Sequence, residues 1–344
     1  MCKVFRYVFV APLFASMMVA IGCSRSEQNT SGSGADSAQV GERAAQRLTV
    51  AVIPKSTGGE FWETVEMGAR AAGSELGVEI KWEGAHHETD LAEQNKIIES
   101  MVNLGVDGMA LAPLNNRVMR KPVENVVAAG IPVVIFDSAV DGDAHVSYVA
   151  TDNTAGGALA AQYLIDRLGP NKKRLFLLRY IQGTASTEQR SVGFLDTAKA
   201  AGFEVLGDPY SDDATVAGAI KTATNSLERF VKDGKLQVDG IFATNLFSTM
   251  GMLTALEDLR QSGVETQVVF VGFDTSPPLI QDLQQGKIDA LVSQHPERMG
   301  YLAVETLVKH LRGEPIEPVI DTGAELVTRE RLDDPAVRKL VGLE

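Results

Sequence analysis

Cysteine is nearly missing from this chain of 344 residues: only Cys2 and Cys23 occur, so no disulfide framework holds the fold. Aromatic residues make up only 6%, and there are five histidines. Positive charge is also in deficit, with 32 Lys and Arg against 45 Asp and Glu and a formal charge of −13. So acidic a surface disfavours nucleic acid and gives no electrostatic help toward anionic lipid. Nucleotide and catalytic signatures are absent as well. The chain has no phosphate-binding loop ending Gly-Lys-Ser/Thr, no Gly-x-Ser-x-Gly elbow and no His-Glu-x-x-His. His86 and His87 sit in a polar segment and read as solvated surface, while Asp141-Gly-Asp143 lacks calcium-loop spacing and reads as a turn. Neither a metal nor a cofactor is expected.

The chain opens with a basic start, Lys3 and Arg6, and an apolar stretch over 8–21. That stretch is short for a membrane span and suits the core of a signal peptide over residues 1–22. Its end, Ala20-Ile21-Gly22-Cys23, resembles a bacterial lipobox, with Ala20 where leucine is usual. The resemblance implies cleavage before Cys23 and lipidation of that residue, which anchors the protein to a membrane. Cleavage removes two positive charges and takes the net charge to −15. Residues 23–47, rich in Ser, Gly, Ala, Gln and Asn without hydrophobic periodicity, read as a flexible tether.

From Leu48 onward, short β-branched runs alternate with amphipathic segments. Strands are predicted at 48–53, 78–82, 108–111, 132–136 and 146–150, with helices from about 60, at 91–104 and at 119–129. A helix opening at 151–157 leads to strands at 174–179, 203–207, 240–243, 267–271 and 288–293. Helices at 187–201, 214–231, 246–262 and 296–311 accompany them, with short strands near 318–328. Such alternation implies an α/β fold of doubly wound parallel sheets, and the length suits two domains.

The chain also echoes itself. The run 106–112 returns as 238–244, and the strand ending at Asp137 returns as the strand ending at Asp274, offsets of 132 and 137 residues. Ligands in open α/β sheets sit beyond the carboxyl ends of the strands. Two similar lobes, each presenting an Asp there, suggest a ligand held between them. Phe61 and Trp62, Asp137 and Ser138, Arg190, Asn245, Asp274 and Gln294 are the polar and aromatic groups at strand ends. Carboxylates and amides bond several hydroxyls, Arg adds a fork of donors, and flat rings cover a sugar face, so the set suits a neutral polyol. Each also has a plainer role. Phe61 and Trp62 can staple a helix to the core, Arg190 can sit on a helix surface, and Asp274 can cap the helix after Pro277.

Several stretches, taken in order, carry a family resemblance. They are Ser56-Thr-Gly-Gly-Glu-Phe-Trp62, Val106-Asp-Gly108, Ile131-Pro-Val-Val-Ile-Phe-Asp137, Thr151-Asp-Asn153, Gly183-Thr-Ala-Ser-Thr-Glu-Gln-Arg190 with Gly193-Phe194, Thr244-Asn245, Val271-Gly-Phe-Asp274 and Ser293-Gln294. From Leu48 to about Thr328 the chain resembles the ribose-type periplasmic sugar-binding proteins that serve ABC importers, the type I periplasmic binding proteins. The resemblance implies a sugar sandwiched by Phe61 and Trp62 and bonded by Asp137, Arg190, Asn245, Asp274 and Gln294. It implies interleaved lobes, 48–151 with 296–321 and 152–295 with 322–344, joined by a three-crossing hinge.

Three positions depart from the ribose pattern. Ser138 replaces an Arg, which would leave room for a larger sugar. Leu246 follows Asn245 where Asp is usual, and Ser211-Asp-Asp-Ala214 lacks the aromatic often found there.

The expected protein is a monomeric, lipid-anchored receptor on the outer face of a bacterial membrane, handing a monosaccharide or related polyol to an ABC permease. A receptor for a sensor kinase is the alternative. A sugar-responsive repressor would need a DNA-binding segment before Leu48, where only a signal and a tether are read. A glycosidase working through Asp137 and Asp274 is compatible with paired carboxylates, but no enzymatic activity is expected.

Overall fold

A computed structural model describes residues 47–343. The signal segment 1–22, all but the last residue of the tether and the Cys23 lipidation site lie outside the described residues.

The first half of the chain runs β1 (Thr49–Ile53), α1 (Glu60–Leu76), β2 (Glu79–Trp82), α2 (Leu91–Leu104), β3 (Gly108–Leu111), α3 (Arg120–Ala128), β4 (Val133–Phe136) and β5 (Ser147–Ala150). It continues with α4 (Asn153–Leu168), β6 (Arg174–Leu178), α5 (Ala185–Ala200), β7 (Glu204–Gly207) and α6 (Val216–Leu227). A small hairpin, β8 (Val231–Lys232) and β9 (Lys235–Leu236), precedes β10 (Gly240–Ala243), α7 (Leu246–Gln261), β11 (Val269–Phe273), α8 (Pro277–Gln285) and β12 (Ala290–Gln294). The chain closes with α9 (Pro296–Leu311), β13 (Val319–Asp321), β14 (Ala324–Thr328) and α10 (Pro335–Leu340).

These strands form two six-stranded sheets in matching orders, β13-β5-β4-β3-β1-β2 and β14-β12-β11-β10-β6-β7. Every pairing within them is parallel except β12 with the edge strand β14. The two internal echoes occupy equivalent places, β3 with β10 and β4 with β11. The fold is the α/β, doubly wound architecture that the alternation predicts.

The core explains why these runs become central strands. Along β1, Val50 and Val52 pack against α1 and α9, whereas Ala51 and Ile53 pack with α2 and α3. Period-two alternation therefore fills both faces, and β1, β3 and β4 lie buried because helices cover each side. The second sheet is covered in the same way.

The chain passes between the sheets three times, after β5, after β12 and after β13. Backbone and side-chain bonds tie two of these crossings together. Thr322 N donates to the Ala150 carbonyl at 2.9 Å, Asp152 N donates to Asp321 Oδ1 at 3.0 Å, and the Thr151 and Thr322 hydroxyls lie 3.2 Å apart.

Two local expectations fail. The helix expected over 214–231 stops at Leu227, and the hairpin follows. Asp233 and Gly234, both at positive φ, make its turn, because their backbone twist suits a two-residue hairpin. A terminal helix, α10, was not expected. Asp334 caps it by accepting from Ala336 N at 2.9 Å, with Pro335 at its first position.

Candidate functional site

A cavity of about 500 Å³, including its open mouth, lies between the two sheets at the carboxyl ends of their strands. The first sheet and its helices contribute Lys55, Phe61, Trp62, Glu88 and Asp137. The second contributes Tyr180, Ser186, Thr187, Arg190, Asn245, Phe247, Asp274 and Gln294.

The two aspartates hold equivalent positions. Asp137 follows β4 with φ 61°, and Asp274 follows β11 with φ 68°. Left-handed backbone is uncommon for any residue with a Cβ, and Asp tolerates it better than most. In each lobe the turn swings a carboxylate out of the strand direction and over the cavity. Asp274 Oδ1 accepts from Gln294 Nε2 at 2.8 Å and Oδ2 from Leu246 N at 3.1 Å. It does not cap α8, since the Ser276 side chain accepts from Leu279 N.

Arg190 is buried at 2% exposure, which removes the surface-helix reading. Its Nε donates to Asn153 Oδ1 at 2.8 Å and Nη1 to the Thr244 carbonyl at 2.9 Å. Its guanidinium stacks on Phe273, 3.7 Å from the ring centroid, with Nη1 4.0 Å from Asp274 Oδ2. Glycines allow this placement. A Cβ on Gly157 would stand 1.9 Å from the Arg190 carbonyl, and one on Gly193 2.0 Å from that of Thr154. Without side chains there, α4 and α5 pack closely enough to bring Arg190 to the cavity. Burial pushes the Asp274 carboxyl up and the Arg190 guanidinium down, each offset in part by the other's charge.

Asn245 is buried and opens α7 as a capping box with Ser248. Its Oδ1 accepts from Ser248 N at 3.0 Å, which leaves the Nδ2 protons free among the described residues. Gln294 Oε1 is buried without a partner among the described residues. Asn245 thus offers a donor and Gln294 an acceptor to whatever fills the cleft.

Phe61 and Trp62 stand edge to face, centroids 4.9 Å apart, and Trp62 also meets Phe136 at 6.4 Å. Trp62 belongs to the core as well as the cavity wall, so the stapling reading and the ligand-facing one hold together. Tyr180 and Phe247, 6.1 Å apart, supply aromatic surface from the opposite lobe. They stand where Ser211–Ala214 offered none. Nothing in the local pattern at 180 or 247 marks them, because both reach the cleft only through the packing of β6 and α7.

Ser138 differs from expectation. It is fully buried and off the cavity wall, accepting from Lys55 Nζ at 2.8 Å and donating to Ser186 Oγ at 3.0 Å. Lys55 stands beside it and lines the cavity. Its Nζ lies 2.6 Å from Asp137 Oδ2, an ion pair outside hydrogen-bond alignment, and 3.4 Å from Ser186 Oγ. The cation missing at position 138 is thus supplied from β1's loop.

Glu88 is a second addition. It accepts from Trp62 Nε1 at 2.9 Å and from the Tyr180 hydroxyl at 3.2 Å, one donor from each lobe. Further bonds cross the cleft from Ser186 N to Ser138 Oγ at 3.1 Å and from Asn116 N to the Gly183 carbonyl at 3.2 Å. The lobes are closed on one another. Among the described residues no cluster of His, Cys, Asp and Glu is grouped to hold a metal ion.

The model of the periplasmic binding protein domain matches residues 50–315. A D-ribose/D-allose-binding protein of Pseudomonas aeruginosa is 28% identical over 82% of this chain and 89% of its own length. Two solved transporter solute-binding proteins are each 32% identical. One, from Agrobacterium radiobacter with D-arabinose, superposes with a TM-score of 0.79 over 87% of this chain and 100% of that one. The other, from Agrobacterium vitis with D-fucose, gives 0.78 over 85% and 99%.

Proposed function

From the premise that this chain belongs to the periplasmic binding protein domain family, we propose that it captures a monosaccharide or related polyol between its lobes and delivers it to an ABC permease. The carrying observation is the composition of the cavity wall. Asp137 and Asp274 reach in from opposite lobes, with Gln294 Oε1 as a free acceptor and the amide of Asn245 as a free donor. Aromatic rings flank them on both sides. The wall therefore mixes acceptors with donors, the Asn245 amide and the Arg190 guanidinium, so the ligand must both donate and accept hydrogen bonds. Hydroxyl groups do this, and the rings cover the apolar face of a pyranose or furanose.

A relative named for ribose and allose, and similar structures holding D-arabinose and D-fucose, support the sugar class. Phe61, Trp62, Asp137, Arg190, Asn245, Asp274 and Gln294 contact the sugar in this reading. Ser138 acts behind them by holding Lys55 and Ser186. The lobes open and close about the three crossings, and the ligand binds the closed form preferentially.

Cys23 carries the lipid anchor in the same reading, and the folded part works as a monomer on the outer face of the membrane. Replacing Cys23 by Ser should release the protein from the membrane fraction or leave it unprocessed.

Thermal-shift and calorimetric titration with pentoses, hexoses, deoxysugars and inositols tests the proposal. A ligand at 100 times its Kd stabilises the folded form by about 2.7 kcal/mol, an easily read rise in Tm. A folded protein that binds none of these would refute it.

A further inference from the structure

Glu88 belongs to none of the motifs that mark the cleft, yet it stands at the cleft's outer end. With Gly58, Gly59 and Phe247 it lines both the inner cavity and a neighbouring opening that His86, His87 and Asp213 border. Its two hydrogen-bond donors, the Trp62 indole and the Tyr180 hydroxyl, are both neutral. A carboxylate has about four lone-pair sites, so roughly half of its accepting capacity is left over.

Among the described residues, the two cations that line the cleft are engaged elsewhere. Lys55 Nζ is held by Asp137, Ser138 and Ser186. Arg190 is held by Asn153 and the Thr244 carbonyl, beside Asp274. Three carboxylates therefore meet two cations, and the unmatched carboxylate is Glu88. Burial raises its pKa, with the charge of Lys55 and the Trp62 bond only partly offsetting it. A hydrogen-bond donor brought beside it completes its solvation, whereas a second anion there adds repulsion in a poorly screened site.

We propose that Glu88 is a specificity-determining residue, selecting a ligand that presents a hydroxyl or ammonium donor at the outer end of the cleft and rejecting one with a carboxylate or phosphate there. The inference rests on the sugar-receptor reading above. Trp62 and Tyr180 come from opposite lobes, so the acceptor is assembled only on closure, and the closed state reads the donor.

Calorimetric titration with matched probes tests this: D-galactose against D-galacturonate, D-glucose against D-glucuronate, D-ribose against ribose 5-phosphate, and D-arabinose against arabinose 5-phosphate. The parent should bind its preferred neutral member at least a hundredfold tighter than the anionic counterpart. Glu88→Gln, nearly isosteric, should lose about tenfold for the neutral sugar and narrow that ratio at least tenfold. Glu88→Asp keeps the charge and should retain most of the discrimination, which separates a charge effect from a packing one. Equal binding of neutral and anionic members by the parent, or an unchanged ratio in Glu88→Gln, overturns the role of Glu88 alone. Failure of the folded parent to bind these neutral probes and every other pentose, hexose, deoxysugar and inositol of the panel above refutes the sugar reading itself, and this inference with it.

Discussion

Lys55 and Asp137 stand in contact at 2.6 Å with side-chain exposures of 4% and 5%, so water screens their interaction little. Asp137→Asn keeps the shape, and Asn enters the left-handed region at φ 61° as readily as Asp. It removes the anion and strands a buried ammonium. Breaking a buried pair from one side costs about 3–5 kcal/mol. The Ser138 and Ser186 hydroxyls remain beside Nζ, which favours the lower end, about 3 kcal/mol.

Lys55→Met strands the carboxylate instead and should cost a similar amount. The double variant has no charge to strand, and a buried pair replaced by neutral groups of similar volume is often close to neutral. The two single losses should therefore exceed the loss in the double variant by at least about 2 kcal/mol, a coupling within the range seen for residues in contact. Chemical denaturation of the four proteins, with their slopes compared, measures this. Independent sites add to within about 0.5 kcal/mol. Additivity at that level would refute the claim that Lys55 is the counter-ion of Asp137.

Asp274→Ala should weaken the confirmed ligand at least tenfold by calorimetry, since a hydrogen bond to a charged group contributes about 1.5–3 kcal/mol and a decade of affinity about 1.4 kcal/mol. Parent-like binding would take Asp274 out of the site. Gly193→Ala places a Cβ 2.0 Å from the Thr154 carbonyl, so α5 must shift and carry Arg190 with it. Both Tm and ligand affinity should fall, and a fall in Tm alone would uncouple that packing from the cleft. Glu88 and Asp274 hold raised pKa values, chiefly through burial, so they protonate before exposed carboxylates as pH falls from neutral. Their contribution to stability is full below the ordinary carboxylate pKa and is lost as pH rises through the raised values. Ligand affinity follows the opposite sign, because binding uses the charged acceptors. Titrations stepped down from pH 7 should show affinity dropping while the folded baseline holds, and a flat profile would contradict the assignment of these two groups.

The features that could be read in advance are those whose cause is local. The β-branched runs ending at Asp137 and Asp274 announce buried strands, because a short apolar run bounded by polar residues has few other places to go. Their repetition announces two lobes built alike, and β4 and β11 occupy equivalent sheet positions. The hairpin at 231–236 carried a local signal too. Asp233-Gly234 between short apolar-ended segments is a turn motif, and it outweighs the helical pattern that runs into it. Asp334-Pro335 likewise announces the start of α10.

Lys55 and Glu88 had no such signal. A lysine just past a strand and a glutamate beside two histidines both look solvated, and each would be solvated in isolation. Lys55 is buried because Asp137, 82 residues later, and Ser186, 131 residues later, meet its ammonium. Glu88 turns inward because Trp62 and Tyr180 converge on it from different lobes. Ser138 shows the converse, a residue read as facing the ligand whose hydroxyl is spent on the protein. The order of residues along the chain determined where strands end and that Asp137 and Asp274 follow two of them, since those follow from side-chain period and backbone turns. Which charges are matched inside the cleft was decided only when distant segments closed on one another, because compensation of a buried charge depends on groups that chain order does not place together.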